Sequence, residues 1–61
     1  MNKRRREKIS KCISDLEEIL EEEDMSRDNI PENLQDTDLY LDSEAASECL
    51  QEAIDTLNEI V

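Results

Sequence analysis

The sequence predicts an all-α fold: an antiparallel two-helix hairpin of coiled-coil type, two copies of which dimerise into a four-helix bundle. Three observations predict it. Glycine is absent and Tyr40 is the only aromatic residue, so the chain lacks the tight-turn residues and the aromatic runs from which sheets are built. Apolar residues recur at alternating intervals of four and three in two stretches, the spacing of a seam along one side of a helix. Between the stretches lies a segment holding the only proline, Pro31, among asparagine and aspartate turn formers.

The first helix is expected from about residue 2 to 25. Ile9, Ile13, Leu16 and Leu20 form its seam, Cys12 and Ile19 flank it, and Leu16 to Glu23 is a run of good helix formers. A connection follows over about 26–36. Pro31 disfavours helical geometry at Ile30, and the segment exceeds the roughly 2–8 residues usual between bundle helices. Because it carries Ile30 and Leu34, it is expected to fold back over the end of the core. The second helix is expected over about 37–61, with Thr37 as its N-cap and Asp38 in its first turn. Its seam reads Leu39, Ala46, Leu50, Ala53, Leu57 and Ile60, with Ser43 filling one gap. Residues 1–61 thus make one domain, a single helical hairpin.

Charge is distributed unevenly along this frame. The net charge is −11, yet residues 1 to 11 hold six basic side chains against Glu7. From Glu21 to Glu44 there are ten acidic residues and only Arg27 to oppose them. In the first helix this order is the reverse of what the helix dipole favours, and an antiparallel partner helix offers the compensation. The expected register sets Leu20 by Ser43, Leu16 by Ala46 or Ser47, Ile13 by Leu50, and Ile9 by Ala53 or Ile54. It also brings Arg4 level with Glu59, Lys8 with Asp55, and Lys11 with Glu52.

A hairpin this small has difficulty burying enough surface to stand alone. Cys12, Ile19, Cys49, Ile54 and Val61 widen the apolar stripes beyond what one partner helix covers. Self-association of two hairpins about a twofold axis is therefore expected, with the orientation of the hairpins left open.

No catalytic signature is present, and the chain is read as a non-enzyme. Histidine is absent and there are two cysteines, without a Cys-x-x-Cys pair, so neither a zinc site nor a Glu-x-x-His di-iron bundle is offered. No metal or other cofactor is expected. Cys12 and Cys49 fall at nearly the same level in the expected register and are read as small packing residues, with a crosslink between them left open. No apolar stretch approaches the length of a membrane span, and no leader pattern follows the basic start; a cytoplasmic protein is expected.

Two surfaces remain for binding. Glu21, Glu22, Asp24, Asp28, Glu32 and Asp38 are the partner-binding candidates at the acidic loop end. Lys3, Arg4, Arg5, Arg6 and Lys8 form a basic patch whose helical spacing suits phosphate oxygens, although no aromatic residue accompanies them for stacking on bases.

The basic opening Asn2-Lys3-Arg4-Arg5-Arg6, the acidic Leu16-Glu17-Glu18-Ile19-Leu20-Glu21-Glu22 segment and the loop Asp28-Asn29-Ile30-Pro31-Glu32-Asn33-Leu34-Gln35 resemble a group of short helical-hairpin proteins of Gram-positive bacteria and their phages and prophages. The resemblance spans nearly the whole chain, and the loop is its distinctive part. It implies a mobile-element origin and a role in countering host defence, and it carries over no catalytic residue. The expected function is thus a self-associating acidic helical protein that binds a host protein. Mimicry of nucleic acid by the acidic loop end, and nucleic-acid binding through the basic N-terminus, are the alternatives.

Overall fold

A computed structural model describes all 61 residues. Two helices pack against each other and there is no strand: α1 spans Lys3–Asp28, a 3-10 turn spans Glu32–Leu34, and α2 spans Asp38–Asn58. The Asn2 side chain caps α1 by accepting the Arg5 backbone N–H at 2.9 Å. That helix runs three residues past the expected Met25 and is capped at Asn29, two residues ahead of Pro31. Thr37 caps α2 by accepting the Tyr40 N–H at 3.5 Å, and its hydroxyl donates to the Leu34 carbonyl at 2.7 Å. One side chain thus closes the loop and opens the helix. The helix stops at Asn58, short of the expected Val61, and Ile60 continues as a turn whose N–H reaches the Leu57 carbonyl.

The seam of α1 agrees with its periodicity: Ile13 is buried, and Ile9, Leu16 and Leu20 are half-buried. On α2 the inward residues are Tyr40, Ser43, Ser47, Leu50, Ile54 and Leu57. Leu39, Ala46 and Ala53, expected in the seam, are exposed, and Ile60 lies 38% exposed. The stripe of α2 is two residues wide, so periodicity alone permits either rotation of the helix. Turning Ile54 inward instead of Ala53 removes extra methylenes from water, at about 0.8 kcal/mol each. The same turn aims the Ser43 and Ser47 hydroxyls at α1.

The register also differs from the expected one. Hydrogen bonds join Arg27 to Ser43 and Ser47, and Asp24 to Ser47. Continued along the antiparallel pair, this sets Leu20 level with Leu50, Leu16 with Ile54 and Ile13 with Leu57, one heptad away from the expected pairing of Ile13 with Leu50. A groove lined jointly by Glu17, Leu20, Asp24, Gln51 and Ile54 has the same register. A slip of one heptad returns every residue to the same side of its helix, so the apolar pattern tolerates both registers. The longer α1 and its polar contacts decide between them.

Two consequences follow for the ends of the rod. Asn58 ends α2 level with about Cys12, so the first two turns of α1 run on without a neighbouring helix, and residues 1–8 are all exposed. The expected pairs of Arg4, Lys8 and Lys11 with α2 are accordingly not formed. The only ion pairs, Lys3 to Glu7 at 4.0 Å and Asp24 to Arg27 at 2.8 Å, lie along α1 itself. At the loop end Ile30 is half-buried and covers the core as expected, whereas Leu34 is 45% exposed.

Candidate interaction surfaces

The side-chain hydrogen bonds that join the two helices form a clasp near the loop end. Arg27 lies on the α1 seam two turns beyond Leu20, where the periodicity would ask for an apolar side chain. Its Nη1 donates to the Ser43 carbonyl at 3.1 Å, to Ser43 Oγ at 3.3 Å and to Ser47 Oγ at 2.7 Å, while Nη2 donates to Asp24 Oδ1 at 2.8 Å. The two serines pass the interaction on. Ser47 Oγ donates to Asp24 Oδ1 at 2.7 Å, and Ser43 Oγ donates to Glu23 Oε2 at 2.6 Å. Both serines are buried, and no buried polar side-chain atom is left without a partner. The hydrogen bond from Ser47, followed by that from Arg27, holds the Asp24 carboxyl below its ordinary pKa, and Asp24 in turn raises that of Arg27.

Asp24 is therefore occupied within the fold, unlike the other acidic partner candidates. Glu21, Glu22, Asp28, Glu32 and Asp38 are exposed and have no ion pair. The sequence contained a signal for the clasp. Arg27 is the one cation among ten acids, and Ser43 is the gap in the second seam; both mark the same layer.

The flanks of the seam make the two broad faces of the hairpin chemically different. On one side a groove is lined by Ser26, Leu39, Asp42 and Ala46 around the clasp. In heptad terms Cys12, Ile19, Leu39, Ala46, Ala53 and Ile60 all fall on this side. Every one of them is exposed, Leu39 to 73% and Ile19 to 49%. The opposite face presents Glu17, Glu21, Asp24 and Gln51. Met25, 61% exposed, also borders the groove on that face. The first face is thus the more apolar of the two without holding all the exposed apolar surface, and Ile13 and Ile54 are the apolar side chains buried within the hairpin.

Lys3, Arg4, Arg5, Arg6 and Lys8 share the unaccompanied first turns of α1 and are exposed. Cys12 and Cys49 are both free and exposed. The shifted register brings Cys12 level with Asn58, about 13 Å along the axis from Cys49 at 1.5 Å per residue, so they do not share a level as the sequence suggested. No three metal-ligating side chains converge anywhere in the chain. The rod measures 49 × 15 × 11 Å, the thickness of a single layer of helices, and its grooves are open. No helix is long and apolar enough to cross a membrane. Comparison with protein families, characterised proteins and solved structures finds no match to this chain.

Proposed function

We propose that this chain is a non-enzymatic interaction protein of mobile-element type, which self-associates as a four-helix bundle and binds and inhibits a host defence protein in the bacterial cytoplasm. The observation that carries the reading is the division of apolar side chains between the seam and an open face that is the more apolar of two. A hairpin that buries only Ile13 and Ile54 among its apolar residues leaves Cys12, Ile19, Leu39, Ala46, Ala53 and Ile60 open to a second copy of the chain, and exposed apolar surface gathered on a face is characteristic of contacts between protein chains. The acidic loop end is the contact offered to the host protein. Glu21, Glu22, Asp28, Glu32 and Asp38 lack ion-pair partners in the fold, and their charge complements a basic surface, including one that receives nucleic acid.

The test is capture of host proteins on the tagged chain and on a variant with Glu22, Asp28 and Asp38 changed to lysine. The proposal expects one stoichiometric partner that the variant loses. Identical capture by both chains removes the loop end from the binding surface. The unaccompanied basic turns of α1 favour a second reading, contact of Lys3 to Lys8 with nucleic-acid phosphates. It expects retention on DNA or RNA at low salt that vanishes when Arg4, Arg5 and Arg6 become alanine.

A further inference from the structure

Resting on the reading that the chain self-associates, we infer that the second copy seats on the face carrying Cys12, Ile19, Leu39, Ala46, Ala53 and Ile60, with the two hairpins antiparallel. The loop end of each then lies beside the basic overhang of the other. The choice of face follows from the difference between the flanks. One flank is the more apolar, with Asp42 at its loop end and alanines at its middle that let a second helix approach closely, while the other bears Glu17, Glu21, Asp24 and Gln51 with Met25 as its exposed apolar side chain. A standard interface takes about 800 Å² from each partner. That is about a sixth of the 4904 Å² surface of this chain, which one face of so flat a rod supplies.

The orientation follows from charge. Two hairpins packed loop beside loop would bring together two segments of ten acids, each with only Arg27 in opposition, and would also bring together two clusters of six basic residues. Packed loop beside terminus, each basic overhang meets an acidic end. The overhang finds no such partner within its own chain, because α2 stops level with Cys12. The dipole mismatch of α1, basic at its start and acidic toward its end, is answered in the same way by the second copy. Six cations do not neutralise ten acids, so each end of the dimer stays negative and available to a basic partner.

The experiment uses the full chain with Cys12→Ala and Cys49→Ala, and one nitroxide label on a new cysteine at the exposed position 32 (Glu32→Cys). Distances between copies are read by pulsed electron resonance, with mass from sedimentation equilibrium. The antiparallel dimer separates the two labels by about 30 Å or more, the length of α2 at 1.5 Å per residue. A mixture of chains labelled through Glu32→Cys and through Glu7→Cys gives a short distance of roughly 20 Å, that of adjacent packed helices plus the label tethers. A dimer whose Glu32→Cys labels lie at the short distance overturns the orientation and leaves self-association standing. A monomer at micromolar concentration overturns both. Ala53→Glu tests the face: loss of the dimer with helix content retained is expected, and an unchanged dimer overturns the assignment of the face.

Discussion

Ser47 accepts a hydrogen bond from Arg27 at 2.7 Å and donates one to Asp24 at 2.7 Å, so a single hydroxyl on α2 is held by both members of an ion pair on α1. Heptad spacing cannot say how far one helix slides along the other, because each slip of seven residues restores the same apolar contacts. A buried polar group that finds its acceptors in one alignment only removes that freedom, the best attested use of polar residues in a helical seam. The clasp therefore acts on the register, and through it on which residues the hairpin leaves uncovered.

Ser47→Ala removes both bonds and leaves the Asp24–Arg27 pair in place. The cost expected is about 1–2 kcal/mol, seen as a fall in melting temperature of the order of 5–10 °C by circular dichroism for a chain of this size. Arg27→Met leaves Glu23 and Asp24 facing the serines without their cation and is expected to destabilise further.

The clasp is sensitive to acid. Asp24 has its pKa depressed in the fold, so its contribution is fully present above its unfolded value of about 3.9 and is lost as pH falls through the lower folded value. The stability difference between the native chain and Asp24→Asn is expected to be constant near neutrality and to shrink below that range. Urea titrations of both proteins at several pH values measure it. A difference that grows on acidification would contradict the assigned bonds.

The rotation of α2 is tested by two neighbours. Ile54→Ala empties a buried site and is expected to cost about 2–5 kcal/mol, enough to unfold a marginal hairpin at 25 °C. Ala53→Ser changes a position that the single hairpin leaves exposed and should alter the stability of that hairpin by no more than about 0.5 kcal/mol. If the two effects were equal, the helix would be turned as its simple periodicity suggests.

Mild oxidation probes the register from another side. With Cys12 and Cys49 about 13 Å apart along the axis, no bridge forms inside one chain, since a disulfide requires Cα atoms within about 7 Å. Non-reducing electrophoresis is expected to show crosslinked pairs or reduced monomer. An oxidised monomer of increased mobility would restore the register in which the two thiols share a level.

Much of the fold was legible in local chemistry. Ile9, Ile13, Leu16 and Leu20 announce the inward side of α1, Pro31 the break, and Thr37 the start of α2. The charge contrast between the first eleven residues and the segment around the loop is visible in the chain itself. Arg27 was less legible, because a lone cation among acids looks like part of a solvated loop until a helix carries it back onto the seam. Ser43 and Ser47 were hidden for a related reason: a small polar residue in a seam reads as a gap unless its partner is known.

By itself the sequence determined two helices, the break between them and a strong charge polarity, because helix propensity, proline geometry and side-chain charge act within a few residues of chain. The tertiary structure decided the rotation of α2, the axial alignment of the pair and the length of α1 left unaccompanied. Those depend on contacts between residues sixteen or more positions apart, where two arrangements bury similar apolar stripes. A guanidinium that satisfies its donors on Ser43, Ser47 and Asp24 in one alignment breaks the tie.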